Sequence, residues 1–201
     1  MENKKKKKNK YSLSTKLIKI KLSEAALLLL KIKPFSKISI KDICKKSKID
    51  HMVAFSVVKE KKDILFIIND YFDYEAFKKI RKVKSSNTHD KILESLMIRF
   101  DVFNRHRSAV IKIFNYIAKK PDLIIFFIPL IIKSLTTILE SSEVASDGVL
   151  GNLKVEGLLI IYISIFLIWK KDETPGLDKT MAALNNHLNK AEYFVNLFNN
   201  K

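Results

Sequence analysis

The chain has 201 residues, 47% of them hydrophobic, which excludes a disordered protein and allows one or two domains with a sizeable core. Its formal net charge is +17, and residues 1–62 carry 19 Lys against five acidic residues, a net of +14 for that stretch alone. A front this basic, joined to a nearly balanced and apolar remainder, points to a polyanion as partner, either nucleic acid or an anionic membrane surface. Cys44 is the only cysteine, which rules out an intrachain disulfide and fits a reducing, cytoplasmic setting.

Residues 1–10 (MENKKKKKNK) read as a disordered basic arm. A helix is predicted from Ser14 to Lys33, with Leu17, Ile20, Ala25, Leu28 and Ile32 on its inner face and Pro34 ending it. Ser39 is placed to cap a short helix over 40–47 that turns Ile40, Ile43 and Cys44 inward. Asp50 caps a second short helix over 51–58, expected to bury Val53, Ala54, Val57 and Val58. A long helix then runs from about Lys61 to Lys82. Two short helices a few residues apart, after a longer one, are the layout of a helix-turn-helix unit.

The remainder reads as helical too. Thr88 is the expected cap of a helix over 89–103, and further helices are predicted over 107–119, 122–141 and 149–170. Thr174 and Pro175 read as N-cap and first residue of an amphipathic helix over 175–198 with Leu177, Met181, Leu184, Leu188, Ala191 and Val195 on one face. The fold class is all-α, about nine helices: the arm over 1–10, a helix-turn-helix domain over 11–62, and a helical regulatory and dimerisation domain over 63–201. Asn9 to Lys21 is too polar for a signal sequence, and the apolar runs Leu123–Ile132 and Leu158–Trp169 fall short of the ~18 residues that span a bilayer, so no stable membrane insertion is expected.

The stretch Phe35–Leu65 resembles the DNA-binding pattern of TetR-type transcriptional regulators, with matches at Phe35, Ser39, Asp42, Ile43, Ile49, Phe55, Lys61 and Leu65. Residues 99–110, 150–162 and 169–192 are similar to an alphaproteobacterial subgroup of that family. The chain departs from the pattern where Lys48 replaces the usual turn Gly, where Phe55 stands for a phosphate-contacting Tyr, and where Val57 stands for Tyr or His. A similar architecture and C-terminal Trp–Asp–Ser/Thr–Pro segment occur in a lipid-binding accessory family of coenzyme Q biosynthesis that no longer reads DNA.

The resemblance implies a dimeric regulator whose main partner is double-stranded DNA. By analogy Lys61 contacts phosphate, and Ser39 with its neighbouring amides holds another. Lys41, Lys45, Lys46 and Lys48 add backbone contacts, His51, Met52 and Ser56 face the bases, and Phe55 either touches a thymine methyl or packs against the protein. The segment has no Arg, so bidentate guanine reading is excluded and salt-sensitive phosphate neutralisation should dominate affinity.

Phe100, Phe103, Phe114, Tyr116, Phe127, Tyr162 and Phe166 are the candidate lining of an apolar ligand pocket, with Arg99, Arg105, His106 and Arg107 at its mouth. Leu158–Trp169 is apolar all round and needs cover on both sides. Leu158, Tyr162, Ile165, Trp169, Met181, Leu184, Leu188 and Ala191 are therefore the candidate interface of a homodimer built as a four-helix bundle. His51, His89, His106 and His187 are scattered without metal-ligand spacing, and no phosphate loop or nucleophile motif occurs. No enzyme activity, cofactor or metal is expected. Two readings stand open: a TetR-like, ligand-responsive repressor, and an isoprenoid-lipid-binding accessory protein that docks on anionic membrane through its lysines.

Overall fold

The computed structural model describes the backbone over 2–85 and 87–199 and the side chains over 15–85 and 87–193. The side chains of the arm placed at 1–10, and that of Val195, lie outside the described residues. Among the described residues the fold is all-α, as expected, with nine α-helices, one 3-10 helix and no strand. The helices are α1 (Glu2–Ile32), α2 (Ile40–Ser47), α3 (His51–Phe55), α4 (Lys61–Ile80), α5 (Thr88–Arg105), α6 (Arg107–Ile117), α7 (Pro121–Ser141), α8 (Gly148–Trp169) and α9 (Asp178–Asn199). They form two compact units, the first Met1–Tyr74 with His106–Pro121, the second Glu75–Arg105 with Asp122–Lys201.

The start of α1 is a correction: the helix runs from Glu2 instead of Ser14, so the backbone of the arm continues it. No Gly or Pro interrupts residues 2–32, and lysine is a good helix former. In the first unit α1 buries Leu22, Ala25, Ala26, Leu27 and Leu30. Of the residues predicted to face inward, Leu17, Leu28 and Ile32 are exposed instead. Residues 25–30 (AALLLL) are uninterruptedly apolar, so periodicity alone does not orient the helix.

The rest of the first unit is tied to α1 and to the segment after it. Ser23 Oγ donates to the Ile67 carbonyl of α4 at 2.8 Å. Lys112 of α6 donates from Nζ to the carbonyls of Leu30 at 2.6 Å and Lys31 at 3.0 Å, satisfying acceptors that the end of α1 leaves open. Tyr116 of α6 packs edge-on against Phe35, with ring centroids 4.9 Å apart. The α6 helix thus belongs to the first unit although it follows α5 in sequence.

The second unit contains the end of α4 together with α5, α7, α8 and α9. The α9 helix packs against both α8 and α5. His89 and Asn185 meet at 2.9 Å across the α5–α9 contact, and Lys91 pairs with Glu143 at 2.7 Å. Two predicted helix starts are corrected. Asn87, not Thr88, caps α5, its side chain accepting from the Asp90 amide at 2.7 Å. The α9 helix starts at Asp178 rather than at Pro175, because Leu177 is buried with φ 55 and turns the chain first. Thr174 still serves as a cap, its Oγ1 accepting from the Asp178 amide at 2.8 Å.

Helices α7 and α8 are both long and apolar enough to cross a membrane by length and composition, contrary to the expectation from uninterrupted apolar runs. In α8 the buried residues Gly151, Val155, Leu158, Tyr162, Ile165 and Trp169 recur on one face, as in a helix laid along a protein core.

Candidate nucleic-acid interface

The helix-turn-helix is built from local hydrogen bonds. Ser39 Oγ accepts from the Asp42 amide at 3.1 Å, and the Asp42 carboxylate accepts from the Ser39 amide at 3.0 Å, a reciprocal capping box at the start of α2. The Ser39 amide, Lys33 at 3.1 Å and the Ser39 hydroxyl together hold the Asp42 carboxyl down at about 2. Lys48 ends α2 in the left-handed region, at φ 56 and ψ 33, a conformation that favours Gly. Asp50 then caps α3 by accepting from the Met52 amide at 2.8 Å. Ile43, Cys44, Ala54 and Val58 anchor the two helices in the core. Burial, with Asp50 nearby, pushes the Cys44 thiol up, so it stays protonated.

This arrangement brings most of the predicted DNA-binding residues onto one exposed segment. Residues 34–62 hold eight lysines and three acidic residues. The acidic three are engaged within the protein: Asp42 and Asp50 cap helices, and Glu60 pairs with Lys62 at 3.2 Å. Lys41, Lys45, Lys46, Lys48 and Lys59 are exposed. His51, Met52, Phe55 and Ser56 are exposed as well.

Three predicted contacts differ in detail. The Ser39 hydroxyl is committed to the capping box. The Ser56 hydroxyl donates to the Val53 carbonyl at 2.7 Å, which turns it back on its own helix. Lys61 donates from Nζ to the Ser36 carbonyl at 2.8 Å and lies 5.1 Å from the centre of the Phe35 ring. Burial lowers its pKa from the usual lysine value, with Asp42 acting in the opposite sense. Periodicity places Val53 and Val57 in the core, but Val57, beyond the end of α3, is half-buried and Val53 is 44% exposed. Val53 and Lys59 thus join the surface without a signal in the sequence pattern that marks them for it.

The predicted ligand-lining residues divide between the two units. Phe100, Phe103, Tyr162 and Phe166 gather with Trp169 in the second unit, where neighbouring ring centroids lie 5.2 to 6.3 Å apart. Phe127 also belongs to that unit, whereas Phe114 and Tyr116 belong to the first. Arg99, expected at a pocket mouth, is buried within the aromatic group and donates from Nε to the Tyr162 hydroxyl at 2.9 Å. His106 instead lies beside Tyr71 and Phe72 in the first unit. A separate groove of about 410 Å³ runs between α1 and α4, lined by residues including Lys16, Lys19, Asp70, Tyr71 and Tyr74.

Burial divides the residues predicted for the dimer face. Leu158, Tyr162, Ile165, Trp169, Leu184 and Leu188 are all buried in the chain's own core, so their side chains are not open to a second chain. Met181 is exposed, and Ala191 is half-buried. The exposed apolar residues of α8 are Val149, Leu150, Leu153, Ile160, Ile163 and Leu167; among them Leu153, Ile160 and Leu167 are spaced by seven, with Gly157 and Ser164 between them.

No family model and no curated protein matches the sequence. The structure is similar to the crystal structure of the TetR transcriptional regulator from Nitrosomonas europaea ATCC 19718, with a TM-score of 0.71 and 16% identity, over 87% of this chain and 98% of that one. The likeness extends through both units rather than stopping at the helix-turn-helix, and the chain has the TetR-regulator fold.

Proposed function

We propose that the chain is a TetR-like transcriptional regulator that binds double-stranded DNA as a homodimer and acts in the cytoplasm as a ligand-responsive repressor. One observation carries the reading. The α2–α3 segment exposes Lys41, Lys45, Lys46, Lys48 and Lys59 while its carboxylates are spent on caps and an ion pair. Phosphate neutralisation by such lysines supplies affinity, and α3 faces the bases.

The stripe of exposed Leu153, Ile160 and Leu167 on α8, with the small Gly157 and Ser164 between them, supports a two-fold partner helix, joined by Met181 of α9. An apolar ligand with an acidic end suits the aromatic group around Arg99, and its entry would shift the distance between the two recognition helices.

A second reading, an isoprenoid-lipid-binding accessory protein on an anionic membrane, is favoured by the exposed Ile124, Ile125, Phe126 and Ile128 of α7. Fluorescence anisotropy of the full chain with a duplex from its own upstream region, a shuffled duplex and anionic vesicles, across a salt series, separates the two. A preference of about 10-fold or more for the upstream duplex near physiological salt supports the regulator. Vesicle binding without duplex preference supports the accessory protein.

A further inference from the structure

Resting on the DNA-binding reading above and deepening it, we infer that α3 reads the C5-methyl groups of thymine in the major groove, so that its target is thymine-rich where α3 docks. The side chains that α3 offers are apolar. Met52 is 78% exposed, Phe55 48% and Val53 44%, on a helix of only five residues. The polar groups beside them are few. Ser56 donates its hydroxyl to the Val53 carbonyl, and His51, its ring 5.9 Å from that of Phe55, offers a single imidazole edge.

Residues 51–58 contain no Arg, Lys, Asn, Gln, Asp or Glu. The paired donors and acceptors that distinguish guanine, adenine or cytosine are therefore missing from the helix itself. The thymine methyl is the one apolar landmark of an unmodified major groove, and it is the feature that Met, Val and Phe side chains can recognise.

Charge selects a nucleic acid over other apolar partners. Lys41, Lys45, Lys46, Lys48 and Lys59 share this exposed segment with the three side chains and suit a surface with closely spaced phosphates. Three side chains on five residues also offer too small an apolar area to hold a bilayer, where binding grows with the area buried.

The test uses the full chain and a randomised duplex of about 30 base pairs, long enough for two half-sites one helical turn apart. Duplexes captured over several rounds are sequenced, and the enriched one is remade with deoxyuridine in place of thymidine. That exchange removes each methyl and keeps every phosphate and every hydrogen-bonding group. The expected result is enrichment of consecutive thymines and an affinity loss of about 4-fold for each contacted methyl.

In a Met52→Ala, Phe55→Ala double variant the difference between the thymidine and deoxyuridine duplexes should shrink, while Lys45→Ala should weaken both equally. Equal binding of the two duplexes by the unaltered chain would overturn the methyl-reading proposal and leave DNA binding standing. No enrichment of any duplex, with binding to vesicles of anionic phospholipid, would overturn both.

Discussion

Asp172 and Thr180 are locked together through one carboxylate oxygen, which accepts from the Thr180 amide at 2.8 Å and from its hydroxyl at 2.7 Å. The other carboxylate oxygen accepts from the Thr174 amide at 3.0 Å and hydroxyl at 2.6 Å. Asp172 and Thr180 are both fully buried, so this carboxylate fixes the entry into α9 from inside the protein. Burial alone would raise its pKa, but the four hydrogen bonds outweigh it and hold the carboxyl well below the usual carboxylate range.

Replacing Asp172 with Ala should therefore cost about 3 kcal/mol, because buried amide and hydroxyl donors lose their acceptor. The pH dependence has a definite sign. A carboxyl whose folded pKa is depressed contributes in full above its unfolded value, about 3.9, and that contribution is lost as pH falls toward the folded value. Urea unfolding from pH 7 to pH 2 should show the stability gap between the chain and its Asp172→Asn variant narrowing below about pH 4. A gap that stays constant would show that the carboxylate charge does not contribute.

Lys48→Gly should stabilise the chain by about 1 kcal/mol, since Lys48 occupies a left-handed backbone conformation that Gly adopts without steric cost. The same change removes a charge from the lysine-rich surface proposed to meet DNA. The salt dependence of duplex binding should then fall by about one unit of slope if Lys48 meets a phosphate. Denaturant midpoints and a salt titration measure the two effects independently.

The Ile160 side chain is 71% exposed and Ile165 is fully buried, although both lie on the same apolar helix. Ile160→Glu should leave the fold intact and convert a dimer to monomers, read by sedimentation equilibrium. Ile165→Glu should unfold the chain at any concentration, because it places an unpaired carboxylate in the core. If Ile160→Glu sediments like the unaltered chain, this stripe of α8 is not the dimer contact.

Tyr162→Phe should destabilise by about 1–2 kcal/mol, because the buried Nε–H of Arg99 loses the hydroxyl that accepts its hydrogen bond. Combining it with Arg99→Met should cost less than the sum of the two single changes. Thermal unfolding of the four proteins in the cycle gives the coupling directly.

The sequence is most legible where structure is local. Ser39, Asp42 and Asp50 announce the two short helices through side chains that close hydrogen bonds within three residues. It is least legible where a helix is apolar on every side. In α8 no polar face distinguishes the core side from the other, so Leu158 and Ile165 cannot be told from Ile160 and Leu167 until their surroundings are known. The place of α6 in the first unit rests on Lys112 and Tyr116 meeting residues near 30–35, far away in sequence and beyond the reach of any periodicity.

The ammonium of Lys112 at the end of α1 also sets an order of events during synthesis. A ribosome delivers residues 1–62 long before residue 112, so the helix-turn-helix segment emerges with the Leu30 and Lys31 carbonyls still solvated and the Phe35 ring not yet covered by Tyr116. The unit that carries the lysines becomes complete only after α6 has left the exit tunnel, and a chain truncated before α6 should be the more easily digested by protease.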